Sequence, residues 1–212
     1  MKQARFIAVE GGEGTGKSTF CQSLATALQE RGQHVVLTRE PGGTARAEEI
    51  RKVFAMDETA GTLDPWTEMF LICAARRDHM QNLVIPALHA GSWVICDRFE
   101  VSTRVYQGEL KGLKEQAYFE QSLTLARHGI EVDHYFLLDC PTSVAMTRTQ
   151  QRTHSADNIS RYDTQQESWY EQLRQAYQRT FAQLTGSSQT ILDTTVHTPT
   201  ELCSQALQKL LA

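Results

Sequence analysis

Residues Gly11-Gly12-Glu13-Gly14-Thr15-Gly16-Lys17-Ser18, with Thr19 behind them, follow the spacing G-x-x-x-x-G-K-[ST]. Glycines at these places let successive backbone N–H groups face inward around phosphate oxygens. Lys17 supplies a point charge for the β- and γ-phosphates, and the Ser18 hydroxyl is placed for Mg²⁺. The apolar run Phe6–Val9 precedes the loop. A helical pattern begins at Lys17, so a helix N-terminus faces the same anion. The stretch from Gly11 to Thr19 is therefore expected to hold ATP. No D-x-x-G or N-K-x-D element accompanies it, which argues against a regulatory GTPase.

A second group follows the apolar run Trp93–Cys96: Asp97-Arg98-Phe99, then Ser102-Thr103 and Tyr106-Gln107-Gly108. Strand carboxyl ends are where open α/β sheets bind ligands. Asp97 is expected to hold Mg²⁺ or its water shell together with Ser18, and Arg98 to bridge two phosphates. Arg39 lies in Thr38-Arg39-Glu40-Pro41-Gly42-Gly43-Thr44, Arg51 follows, and Arg76 sits in a helix after Pro65. Arginine forks suit phosphate better than lysine does. Several of them suggest an acceptor that already carries phosphate and so, with a second pKa of about 6, needs no strong base. A nucleoside hydroxyl would need a carboxylate base, for which Glu40 is the candidate. A nucleotide-dependent binding module would leave the 97–107 group unexplained.

The elements that must position these residues are legible as short apolar segments alternating with amphipathic ones. Phe6–Val9, Val35–Leu37, Trp93–Cys96, Tyr135–Leu138 and Thr190–Leu192 read as buried parallel strands, apolar throughout. Helices are expected near Lys17–Arg31, Ala45–Phe54, Thr67–His89, Glu115–Arg127, Ser143–Arg152 and Glu167–Leu184. Thr198-Pro199-Thr200-Glu201 is a capping box opening a last helix. This order specifies an α/β fold: a doubly wound five-stranded parallel sheet with helices on both faces. One domain over residues 1–212 is expected. Two segments read as loops: Met56–Asp64 as surface, and the polar Gln151–Thr164 as a lid.

Composition narrows the class. Of 212 residues, 41% are hydrophobic and 22% charged, which excludes disorder and coiled coil. A net charge of −4 argues against binding a nucleic-acid polymer. The longest apolar run, Met69 to Ala75, cannot span a bilayer, and the amino-terminal residues fit no signal peptide. No membrane contact and a cytoplasmic location are expected. The five cysteines form no C-x-x-C pair; Cys73, Cys96 and Cys140 read as small core residues.

Across nearly its whole length the sequence resembles the bacterial thymidylate kinases. The resemblance is carried by Glu10 to Thr19, by Thr38–Thr44, and most specifically by Asp97-Arg98-Phe99-x-x-Ser102-Thr103-x-x-Tyr106-Gln107-Gly108. It implies a P-loop nucleoside-monophosphate kinase fold, transfer of the ATP γ-phosphate to dTMP on the way to dTTP, Mg²⁺, and a homodimer. It places Glu13 near the sugar 3′-hydroxyl and metal, Arg51 and Arg98 on the dTMP phosphate, and Arg76 at the thymine edge. Ser102 and Thr103 fall on the base pocket, and Tyr106 with Gln107 on the deoxyribose. Arg152 or, by preference, Arg161 falls on the lid arginine. The family's thymine-stacking aromatic is replaced here by Ile72, with Phe70 two residues earlier, and its lid Asp-Arg pair by Ser160-Arg161.

Overall fold

The computed structural model describes residues 4–56, 63–113, 115–153, 162 and 165–211. Its five strands are β1 (Phe6–Glu10), β2 (Val35–Arg39), β3 (Trp93–Asp97), β4 (His134–Asp139) and β5 (Ser188–Asp193). All pair in parallel in the order β2-β3-β1-β4-β5. The expected sheet is present, and each strand runs one or two residues past its apolar stretch. Each ends on a charged residue: Glu10, Arg39, Asp97, Asp139 and Asp193. The carboxyl edge of the sheet is thus where ionisable groups collect.

Alternation along the central strands divides the core in two. Phe6, Ala8, Val94, Cys96, Tyr135 and Leu137 face one side. There they meet α5 (Glu100–Thr103), the π-helical stretches Met80–Val84 and Arg104–Leu110, and α8 (Glu167–Ala182). Ile7, Val9, Ile95, Phe136 and Leu138 face the other, against α1 (Lys17–Gln29) and α9 (Pro199–Leu211). Both faces are covered, as a parallel sheet requires. The edge strands correct the reading of uniformly buried strands. Leu37 on β2 is 40% exposed and Ile191 on β5 is 58% exposed, because only one neighbour packs beside each.

The remaining helices are α2 (Ala45–Arg51), α3 (Pro65–His79), α4 (Ile85–His89), α6 (Gln116–Ala126) and α7 (Thr142–Thr153). Local chemistry sets their starts. The Thr44 hydroxyl accepts from Ala47 N–H at the head of α2, and the Asp64 carboxylate accepts from Thr67 N–H at the head of α3. The capping box at α9 is formed: Glu201 N–H donates to Thr198 Oγ1 while the Glu201 carboxylate accepts from Thr198 N–H. Two expected helices are interrupted by π-helical turns, at Lys52–Met56 and Met80–Val84. The helical run Glu100–Leu110 was not foreseen from its mixed polarity. Residues 57–62 of the Met56–Asp64 loop lie outside the described residues, as do 154–161, 163 and 164 of the expected lid. Cys96 and Cys140 are buried as expected, Cys73 is half-buried, and Cys21 and Cys203 are also in the core.

Candidate active site

The glycine-rich loop leaves β1 at the centre of the sheet and enters α1 through Gly16 in a left-handed conformation (φ 91°). Gly14 is required for a second reason: a Cβ there would sit 2.1 Å from the Ala145 carbonyl oxygen of α7. Inside the loop, Lys17 Nζ donates to the Gly12 carbonyl at 2.7 Å. Burial, reinforced by the nearby Arg98 charge, pulls the Lys17 ammonium down to about 8. An incoming phosphate anion would favour its charged form further, adding to Asp97, Glu13 and Glu10. Ser18 Oγ donates to Asp97 Oδ2 at 2.7 Å, so the two expected metal ligands are side by side.

An open cleft of about 430 Å³ extends from Gly14–Phe20 to Arg148, Arg152, Thr194, His197, Pro199 and Leu202. Arg152 therefore faces the donor side, as expected; Arg161 lies outside the described residues. Arg148 was missed. It is pinned flat by donating to Thr194 Oγ1 and to the Thr194 carbonyl, both at 2.9 Å. Its place one helical turn before Arg152, on the same face of α7, was the available signal.

Just past the end of β3, Arg98 adopts φ 71°, unusual for a residue with a side chain. Its N–H donates to the Val9 carbonyl at 2.8 Å, and the Cys96 thiol donates to its carbonyl at 3.0 Å. These bonds hold the strained turn and drive the guanidinium back over the phosphate loop. There it donates to the Gly11 carbonyl (2.9 Å), Tyr177 Oη (2.6 Å) and Glu13 Oε1 (2.8 Å). Tyr106 Oη donates to Glu13 at 2.8 Å. Ser102 Oγ donates to Glu10 Oε2 at 2.6 Å, and burial raises the Glu10 carboxyl above its ordinary value. Ser102 therefore belongs to the Arg98 cluster. Tyr177, from α8, is a member that sequence reasoning missed.

Arg76 and its surroundings form a second buried polar cluster. Arg76 Nε donates to Glu40 Oε2 at 2.6 Å and Nη2 donates to Thr103 Oγ1 at 2.9 Å. The guanidinium is 2% exposed and Nη1 finds no hydrogen-bond partner. The candidate base Glu40 is corrected here: both its oxygens are engaged, by Arg76 and by His79, and Arg76 holds its pKa below the ordinary value despite burial. Gln107 is buried and donates to Glu68 Oε1 at 2.6 Å.

Arg51 is half-buried and makes no hydrogen bond or ion pair among the described residues. Burial and the like charges of Arg39 and Arg98 lower its pKa. Arg39 itself is tied to Glu48 at 2.9 Å. Phe70 is a further correction: it is 59% exposed and lies against Trp66 on the outer face of α3. Ile72 points inward and packs with Phe54.

Known proteins resemble this chain over most of its length. The thymidylate kinase family model matches residues 9–201. The thymidylate kinase of Chromohalobacter salexigens is 39% identical over 177 residues, covering 84% of this chain and 82% of its own. That of Trichlorobacter lovleyi is 39% identical over 201 residues, covering 94% and 93%. The crystal structure of thymidylate kinase from Ehrlichia chaffeensis superposes with a TM-score of 0.74 at 26% identity, covering 98% of this chain and 99% of that one. A family-model match over residues 9–201 and relatives 39% identical over most of both chains make this chain a member of the thymidylate kinase family.

Proposed function

We infer that the protein transfers the γ-phosphate of ATP to dTMP, giving dTDP. The observation that carries this reading is Arg51. A half-buried arginine beside the like charges of Arg39 and Arg98, with no hydrogen-bonded or ion-paired carboxylate among the described residues, suits an acceptor that arrives with a phosphate. A nucleoside acceptor would leave it unsatisfied and would need a free base, which Glu40 is not.

In this reading Arg51 and Arg98 hold the dTMP phosphate and Arg76 Nη1 donates to the thymine edge. Ile72 and Thr103 border the base, and Tyr106 and Gln107 the sugar, with Glu13 beside the 3′-hydroxyl. Lys17 and the loop amides hold the ATP phosphates. Arg39 stands at the pocket rim, and Arg152 of α7 approaches the β- and γ-phosphates, with Arg161 assigned the same role by the resemblance. The Ser18 hydroxyl and Asp97 carboxylate are hard oxygen donors with a short separation, a set that fits Mg²⁺. Bound there, Mg²⁺ would neutralise phosphate charge. The phosphate dianion of dTMP attacks without losing a proton, so the side chains act by positioning and charge neutralisation. A single domain with a lid at 151–164 and a cytoplasmic location belong to the same proposal. So does a homodimer, for which the exposed Phe70, Tyr118 and Leu125 of the packed helices α3 and α6 offer an apolar face. Among the described residues no helix is long and apolar enough to cross a membrane.

The test is an acceptor screen with ATP and Mg²⁺ over the nucleoside monophosphates and thymidine. dTMP should give the highest kcat/KM. A preference for thymidine, or ATP hydrolysis with no acceptor phosphorylated, would overturn the reading.

A further inference from the structure

Behind Arg76 lies a residue that touches no substrate in the reading above. His79 Nδ1 is 2.9 Å from Glu40 Oε1, and its Nε2 is 2.8 Å from Thr38 Oγ1. The Glu40 carboxylate can only accept, so Nδ1 carries a proton and donates, and Nε2 shares a hydrogen bond with the Thr38 hydroxyl. The result is a buried chain from Thr38 through His79 to Glu40, whose other oxygen is held by Arg76. His79 and Arg76 are 0% and 2% exposed, and Glu40 and Thr38 are 4% and 8% exposed. Gly43 closes over the ring: at φ +81° a Cβ there would lie 2.7 Å from the imidazole and 2.4 Å from Thr38 Oγ1. Any side chain at position 43 would displace the imidazole.

Arg76 has donors to spare, and which of them reaches the substrate depends on how Glu40 is held. Carboxylates and guanidinium groups favour two-point forks. Glu40 uses only Oε2 on Arg76, because His79 engages Oε1. Without His79, Oε1 becomes a buried acceptor with no partner, and Arg76 is the nearest cation able to satisfy it. The guanidinium would then turn toward a two-point pair through Nε and Nη2, which takes Nη2 from Thr103 and swings Nη1 away from its present direction.

We propose that His79 is a positioning residue that aims Arg76 Nη1 at the base edge, and thereby sets discrimination between a carbonyl and an amino group there. The proposal rests on the dTMP reading above. It is tested by comparing dTMP with 5-methyl-dCMP, which has the same phosphate, sugar and methyl group but an amino group at C4. In His79→Leu, kcat/KM for dTMP should fall about tenfold while that for 5-methyl-dCMP changes by less than about twofold. The KM for ATP should stay within about twofold of wild type. His79→Asn places an amide N–H where Nδ1 stood and should recover most of the dTMP preference. If the leucine variant does not fold, Thr38→Val decides, with an expected loss of preference of about threefold. A parallel fall for both acceptors, or an asparagine variant no better than the leucine one, would reduce His79 to core packing and overturn the proposal. A wild-type enzyme with no preference for dTMP would instead overturn the proposed function.

Discussion

The two halves of the site are built differently. On the proposed acceptor side Glu40, His79, Arg76 and Thr103 are all less than 5% exposed and joined in one hydrogen-bonded chain, and Gln107, equally buried, donates to Glu68. On the donor side the cleft is open, with Ser18, Thr19 and Arg152 exposed and few side chains interlocked. The difference matches what each half must recognise. A triphosphate is held by main-chain N–H groups and mobile cations, which any sequence of the right loop geometry can supply. A particular base is recognised by buried polar groups held in register, since a rejected base then leaves a buried group unpaired. Acceptor-side residues therefore contribute to stability as well as to binding, and donor-side residues contribute mainly to turnover.

This contrast can be broken by substitution. Arg76→Leu leaves Glu40 buried without its main cation, so unfolding stability should fall by about 3–5 kcal/mol, read by urea denaturation, along with a higher KM for dTMP. An unchanged denaturation midpoint would erase the distinction between the halves. Lys17→Ala, in contrast, removes a charge that folding disfavours. We expect kcat to drop about 10²-fold or more with no loss of thermal stability. Arg98→Lys keeps the charge and loses the fork that reaches Gly11, Tyr177 and Glu13. Its kcat should fall about tenfold or more while ATP affinity changes little. Acceptor kinetics equal to wild type would make Arg98 structural only.

A smaller effect sharpens the comparison through pH. In the free enzyme Lys17 titrates near 8. Above that value binding of ATP must first restore its proton, so ATP affinity should weaken with rising pH, by up to about tenfold per unit between roughly pH 8 and 10.5. Glu40 behaves oppositely. Its lowered pKa means that the stability it contributes is present above the ordinary carboxylate range and lost as pH falls through the lowered value. Binding isotherms for ATP and melting curves over pH separate the two.

Much of the donor half was legible in the sequence, because a phosphate loop is a local object. Its glycines, Lys17 and Ser18 are contiguous and lie between a strand and a helix. The sheet was legible for the same reason, since a buried parallel strand is an unbroken apolar run. The acceptor half was legible only where the resemblance named a position. Tyr177 and His79 leave no local mark, because their partners Arg98 and Glu40 are 79 and 39 residues away in the chain. Phe70 misled for a related reason: residue type suggested stacking, but helical phase turns it outward while Ile72 faces in. Glu40 looked like a free base until its two partners, both on α3, came into view.

Amide hydrogen exchange on the free protein tests most directly whether the acceptor half is assembled before substrate arrives. The N–H groups of Glu40, Arg98 and Phe99 donate to Asp97 O, Val9 O and Glu10 Oε1 at 2.8–2.9 Å. They should exchange near the global unfolding limit without ligand and gain little when dTMP is added. The loop amides from Gly12 to Gly16 should exchange much faster and slow markedly only with a non-hydrolysable ATP analogue. Fast exchange at Glu40, Arg98 and Phe99 in the free protein, suppressed only by dTMP, would contradict a pre-assembled acceptor site.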